Sequence, residues 1–274
     1  MRNLVMVVSL VLTVLGAGVA TAADDPYYVA LGDSRATGVT WTSVLFGDHC
    51  GRTADAYPPK VAAALGVSYR SVACVAATTT DVLEGQRVLL VNSVPPQVDA
   101  LSERTRLVTL SIGGNDIGWS SLISPCFPLI GDGRCRTDSA MQARITSALT
   151  DLSPKLDRVL AEIHRRSPAA RIVVVGHGGY FGAQRCFPDA RMSEADAPTV
   201  AAFFADFNRT LAEAAERAAA DYVDIAGPAV GHDTCAGSAR WFLGDWPRGD
   251  TQTRHPTPLG ATNMARLVVD QLAS

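Results

Sequence analysis

The 274-residue chain holds 5 histidines, and neither a Cys-x-x-Cys nor a His-x-x-x-His spacing occurs in it. The common zinc frameworks therefore find little support, and no metal or cofactor is expected. An excess of basic charge is also missing: 24 Lys and Arg stand against 27 Asp and Glu, a net charge of −3. Such a balance gives no electrostatic reason to bind nucleic acid or an anionic membrane. There is no internal repeat, no low-complexity linker and no break in composition that would separate two domains. Beyond the N-terminal segment no stretch is long and apolar enough to cross a bilayer.

The N-terminal segment itself is distinctive. Arg2 precedes an apolar run from Leu4 to Val14, which ends in the small residues Ala20-Thr21-Ala22. A basic residue, an apolar run and an Ala-x-Ala site spell a secretory signal. Residues 1–22 are accordingly expected to be cleaved, and retention as a membrane anchor is the alternative. The remaining 23–274 suits one domain with one core. All 6 cysteines, Cys50, Cys74, Cys126, Cys135, Cys186 and Cys235, lie beyond the signal. Three disulfides follow for an exported chain, free outside the cell or held in its wall. About 15 connectivities are open; the clustering favours neighbours, Cys50 with Cys74, Cys126 with Cys135 and Cys186 with Cys235.

Short apolar or β-branched runs at Tyr27 to Leu31, Val67 to Ala73, Leu107 to Ile112, Arg171 to Gly176 and Tyr222 to Ile225 read as five buried strands. Helical spacing separates them. Met141, Ile145, Leu149, Leu152, Leu156, Leu160 and Ile163 line one helix face, which Pro154 should kink or split. Further helices are predicted over Pro59 to Leu65 with Gly66 as stop, Thr199 to Ala220, and Leu259 to Leu272. Strand–helix alternation implies a parallel five-stranded sheet between helical layers, an α/β/α sandwich of flavodoxin-like type. Ligands in such sheets bind beyond the carboxyl ends of the strands. Two long segments there, Trp119 to Arg136 and Gly227 to Asp250, read as stapled surface loops.

Three of those strand ends carry chemistry. Gly32-Asp33-Ser34-Arg35-Ala36-Thr37-Gly38 follows the first strand and places a serine where a helix begins; Ser34 is either a nucleophile or a helix cap. Ser111-Ile112-Gly113-Gly114-Asn115-Asp116 follows the third, and Asn115 offers an amide donor, or else merely closes a turn. Cys74-Val75-Ala76-Ala77-Thr78-Thr79 follows the second, with backbone amides to offer. Serine needs a base, and His255-Pro256 stands before the last helix. His177, also after a strand, is its rival; His49, His164 and His232 have weaker claims.

These blocks resemble the SGNH, or GDSL, hydrolase family, which reads Gly-Asp-Ser, then Gly, then Gly-x-Asn-Asp, then Asp-x-x-His, and the match runs over nearly all of the chain beyond the signal. The resemblance implies an esterase in which Ser34 attacks, His255 takes the proton, and the Ser34 amide, the Ala76 amide and the Asn115 side chain hold the oxyanion. The cysteines are similar to those of secreted actinobacterial lipases and phospholipases of the family, in which neighbours pair. Two positions depart from its pattern. Ala76 replaces a glycine, and alanine still supplies the amide. Gln252 replaces the aspartate that orients the imidazole. Its work falls to a backbone carbonyl near Gln252 or Thr253, to the Gln252 side chain, or to Asp250 or Asp245. The carbonyl is preferred, giving a Ser–His dyad.

Asp33 and Asp116 read as loop-holding residues, and Arg35 as a solvated helix residue or a contact for an anionic substrate. The expected substrate is a small-molecule or lipid ester, with Trp41, Phe46, Trp119, Phe127, Trp241 and Phe242 as candidates to line an acyl groove. A sugar deacetylase of the same fold and a secreted binding protein without catalysis are the alternatives. The chain is expected to act as a monomer.

Overall fold

A computed structural model describes residues 26–88 and 92–274; the expected signal, residues 1–22, lies outside them. Along the chain come β1 (Tyr28–Gly32), α1 (Ser34–Thr37), α2 (Trp41–Phe46), α3 (Tyr57–Leu65), β2 (Tyr69–Ser71), α4 (Thr79–Glu84), β3 (Gln86–Val88), β4 (Asn92–Val94), β5 (Leu107–Ser111), α5 (Gly114–Ile117), α6 (Trp119–Leu122), α7 (Ser139–Arg166), β6 (Arg171–Val175), α8 (Ala197–Arg217), β7 (Asp221–Val223) and α9 (Pro258–Ala273). Five strands form one sheet in the order β2-β1-β5-β6-β7, every pair parallel. β3 and β4 form a separate antiparallel hairpin.

The central strands β1 and β5 are buried at every residue, so helices must cover both faces. They do so in two packed pairs, α3 with α9 and α7 with α8. The outer strands depart from the expectation of burial. Tyr69 and Arg70 of β2 are exposed, and β7 is only half-buried at Asp221 and Tyr222. Each has one strand neighbour, so less of its surface is covered than in the sheet's centre.

Helix α7 runs unbroken from Ser139 to Arg166 with Pro154 inside it, so the expected split does not occur. A mid-helix proline costs roughly 3 kcal/mol. Against it the helix buries Met141, Ile145, Leu149, Leu152, Leu156, Val159, Leu160 and Ile163, each worth about 1.5–3 kcal/mol. Tertiary burial wins over local propensity. Gly66 ends α3 in the left-handed conformation, at φ 64°.

The cysteines pair as Cys50–Cys74, Cys126–Cys135 and Cys186–Cys235. Each bridge ties down a segment beyond the sheet's carboxyl edge. The first anchors the segment after β2, the second staples the loop after α6, and the third joins the segment after β6 to the one after β7. The sheet order changes direction at β1, whose neighbours are β2 and β5, and a crevice opens at such a switch point.

Candidate active site

Gly32 ends β1 at φ 144°, and a side chain there would bring its Cβ within 2.4 Å of the Ser111 carbonyl oxygen. Glycine is therefore required for the chain to turn hard against β5. The turn is held from several sides: the Asp33 amide donates to Ser111 O at 2.9 Å and the Cys74 amide to Gly32 O at 3.0 Å. Gln97, buried, accepts from the Gly32 amide at 2.8 Å and donates to its carbonyl at 2.9 Å. No motif marks Gln97, which opens a short 3-10 turn, Gln97–Ala100. Asp33 caps α1, its carboxylate accepting from the Arg35 amide at 2.9 Å. Ser34 is thus released from capping and stands first in the helix.

The Ser34 hydroxyl faces His255, Oγ to Nε2 2.7 Å. The other ring nitrogen, Nδ1, lies 2.8 Å from the carbonyl oxygen of Thr253. A carbonyl can only accept, so Nδ1 carries the proton and Nε2 presents its lone pair to Ser34. Backbone pairing fixes this segment: Leu243 N donates to His255 O at 3.0 Å, Arg254 N to Gly244 O at 3.1 Å and Thr257 N to Trp241 O at 2.8 Å. The histidine is half-buried. Desolvation pushes its imidazole down to about 4, opposed by the Thr253 carbonyl and assisted by the charge of Arg35. It is neutral at neutral pH, as a proton acceptor must be.

Neither candidate carboxylate is placed at the imidazole. Asp250 is exposed and accepts from the Thr42 amide at 3.1 Å. Asp245 is engaged by Arg254 at 2.7 Å and Arg191 at 3.2 Å. Among the described contacts no hydrogen bond joins the Gln252 side chain to His255. His177, the rival base, is buried in a ring cluster with Trp119, Tyr180, Phe204 and Phe207, its Nδ1 accepting from the Gly178 amide at 3.0 Å. Burial pushes that imidazole well below its ordinary value, with Arg35 and His255 adding to the shift.

The loop after β5 needs both of its glycines. Gly113 adopts φ 106°, and a Cβ on Gly114 would lie 2.9 Å from His177 Nε2. The turn leaves Asn115 exposed at the cavity, where Nδ2 donates one hydrogen to Ala77 O at 2.9 Å. An amide group has two, so one remains. Ala76 is exposed at φ 60°, a left-handed conformation that suits glycine better. Asp116 ties the two loops together by accepting from the Thr79 amide at 3.0 Å and its hydroxyl at 2.5 Å.

Asp33, Ser34, Asn115, His177, Thr253 and His255 line one cavity of about 430 Å³, together with Arg35, Trp119, Tyr180, Arg191, Asp245 and Arg254. Arg35 is neither solvated nor reaching for solvent. It is 3 % exposed, donates to the Tyr180 hydroxyl and at 3.0 Å to Gly176 O, and lies over the rings of Tyr180 and Phe242. Burial raises the Asp33 carboxyl to about 6 against the opposing pull of its hydrogen bond to the Arg35 amide and of the Arg35 charge. Of the six aromatic candidates for an acyl groove, Trp119 alone lines this cavity. Phe127, Trp241 and Phe242 are buried in the core, while Trp41 and Phe46 are exposed on α2. Their place near strand ends in sequence gave no sign of which way they pack.

The model of the GDSL-like Lipase/Acylhydrolase family matches residues 30–262. Lipase 2 of Streptomyces coelicolor is 33% identical over 261 residues, covering 89% of this chain and 85% of its own length. A lipase of Streptomyces rimosus is 30% identical over 78% of this chain and 75% of its own. Among solved structures, phospholipase A1 from Streptomyces albidoflavus NA297 superposes with a TM-score of 0.71 at 28% identity, over 89% of this chain and 98% of that one. The extracellular lipase of Streptomyces rimosus gives the same values.

Proposed function

Since the chain belongs to the GDSL-like lipase/acylhydrolase family and is a carboxylic ester hydrolase, we propose that it is a secreted esterase of lipid-type acyl esters, working through a Ser34 acyl-enzyme with His255 as general base. The family and the lipase names of the relatives favour catalysis over the reading as a binding protein. The observation that carries the mechanism is the 2.7 Å contact between Ser34 Oγ and His255 Nε2, the distance a proton transfer needs.

Ser34 Oγ attacks the ester carbonyl carbon and its proton passes to Nε2. The carbonyl oxygen becomes an oxyanion, stabilised by the Ser34 amide, the Ala76 amide and the remaining hydrogen of Asn115 Nδ2. As the tetrahedral species collapses, the carbon–oxygen bond to the alcohol breaks and His255 returns the proton to the departing alcohol. Water repeats the sequence on the acyl-enzyme, giving its proton to His255, and Ser34 recovers a proton as the acid leaves. The Thr253 carbonyl steadies the imidazolium in both halves, in the place where a carboxylate more often stands.

Export is supported by the leader pattern of residues 1–22 and by the three disulfides. Lipid-type substrates are supported by the lipase names of the relatives and by apolar space beside the site. A cavity of about 1050 Å³ has Phe204 in its lining, with Phe181, Ala201 and Ala229 among others, and Phe204 packs edge-on against Trp119 of the catalytic cavity at 5.4 Å. The test is hydrolysis of nitrophenyl esters of increasing acyl length by the wild type, Ser34→Ala and His255→Ala. Longer acyl chains should be preferred, and each variant should lose roughly a thousandfold or more. A sharp preference for acetyl would favour the sugar deacetylase instead.

A further inference from the structure

Beside the catalytic pair the cavity wall is cationic, although the chain as a whole carries a net charge of −3. Two carboxylates with buried side chains anchor four arginines here, Asp245 in the wall and Asp189 outside it. Asp245 holds Arg254 at 2.7 Å and Arg191 at 3.2 Å; Asp189 holds Arg248 and, at 3.4 Å, Arg240. The two centres are joined where the Asp245 amide donates to the Asp189 carbonyl at 2.8 Å. Asp250, on the segment that follows Arg248, turns away to the Thr42 amide, and Asp33, also in the lining, has its own cation in Arg35. Four guanidinium groups thus surround two carboxylates, and the excess charge is positive.

Of the four, Arg191 and Arg254 line the cavity that holds Ser34 and His255. Arg254 adjoins the base in sequence and is fixed in position by Asp245 and by the faces of Trp119, Phe127 and Phe181, at 5.4, 5.4 and 6.0 Å. Among the described contacts Arg191 reaches Asp245 through Nε alone, which leaves both terminal nitrogens for a ligand. Two guanidinium groups sharing one carboxylate, one of them rigidly placed, suit an oxyanion of fixed geometry. Resting on the esterase reading above, we propose that Arg191 and Arg254 are specificity-determining residues that bind a negatively charged group, phosphate or carboxylate, carried by the alcohol portion of the ester.

The test compares three soluble substrates below their aggregation limits: dihexanoylglycerol, dihexanoylglycerol phosphate and the hexanoyl ester of glyceric acid. The wild type should show a higher kcat/KM for an anionic ester than for the neutral one, and the larger of the two anionic values identifies the group. Charge-assisted hydrogen bonds of this kind predict that Arg191→Gln and Arg254→Gln each lower the anionic-to-neutral ratio about tenfold or more. The loss should fall mainly on KM, as expected for binding held equally in ground and transition states. Arg191→Lys should retain part of the preference, and salt at roughly 0.5 M should reduce it. Arg191→Gln keeps the test valid if Arg254→Gln fails to fold. Equal rates on all three esters, or a ratio unmoved by both variants, would overturn the assignment while leaving the esterase intact. Failure of the wild type on every ester would instead overturn the esterase reading beneath it.

Discussion

The carbonyl oxygen of Thr253 lies 2.8 Å from Nδ1 of His255, and this contact decides which ring nitrogen faces Ser34. A neutral acceptor fixes the tautomer as well as a carboxylate does, but it gives less support to the imidazolium formed in the reaction. The base is consequently easier to keep neutral and harder to protonate, which shapes how the enzyme should respond to substitution and to pH.

Removal of the nearby polar side chains should do little. With orientation supplied by main chain, Asp250→Asn and Gln252→Ala are expected to keep turnover within about tenfold of wild type, where loss of a triad aspartate costs about ten-thousandfold. Steady-state kinetics on a neutral nitrophenyl ester decides between them.

Asn115→Ala should lose more than about a hundredfold in kcat, since one oxyanion donor is worth roughly 3 kcal/mol of barrier. The same side chain bonds the Ala77 carbonyl, so a thermal melt must accompany the kinetics. Lost turnover in a protein with near-normal Tm is the expected pair of results; near-normal turnover would remove Asn115 from the oxyanion site.

The pH profile carries a sign. Only neutral His255 accepts a proton, so activity is present above its pKa and lost as pH falls through it. Burial pushes that pKa down to about 4, and the acid limb of kcat/KM should lie well below the ordinary histidine value of about 6.5. Asp33, raised to about 6 by its own burial, is the other group in this window. Asp33→Asn, which can still cap α1, should leave the acid limb where it was. A limb at or above pH 6.5 would contradict a desolvated base with no carboxylate beside it.

The architecture was legible because strand and helix periodicities are strong where burial is deep. β1, β5 and β6 carry continuous apolar runs, and α7 paints one face over 28 residues. The small elements α1, α5 and α6 are set by loop geometry rather than by amphipathic pattern, and the β3–β4 hairpin has three-residue strands, too short for alternation to register. At the site, Ser34 and Asn115 stood out because their blocks follow strand ends, and His255 because a serine needs a base and the family pattern puts one before the last helix. Gln97 and Arg191 did not, and the Thr253 carbonyl was named only as one of several groups that could orient the imidazole. Gln97 and Arg191 act through side chains and Thr253 through its carbonyl, and each meets its partner through packing of segments distant in sequence or through backbone that any residue could supply. Arg35 departs from the solvated reading for a related reason: a charged residue in a first helical turn is usually solvated, and only the surrounding rings reveal its burial.

That buried guanidinium should matter for stability. Arg35→Leu leaves the Tyr180 hydroxyl and the Gly176 carbonyl without their donor and Asp33 without its cation, a change expected to cost about 3–5 kcal/mol. Because the Arg35 charge holds the Asp33 pKa down, its removal raises that pKa further above about 6. The penalty should therefore be larger at pH 8, where the wild-type carboxylate is ionised, than at pH 5, where it is protonated. Urea unfolding at the two values measures it; equal losses would separate Asp33 from the effect.

Activation of Ser34 by His255 alone among the side chains is read out by peptide mass mapping after reaction with a fluorophosphonate. A single adduct on Ser34 is predicted in the wild type and in Asp250→Asn, and none in folded His255→Ala. An adduct on another serine would move the nucleophile away from Ser34, and undiminished labelling of Ser34 in His255→Ala would show that a different group activates it.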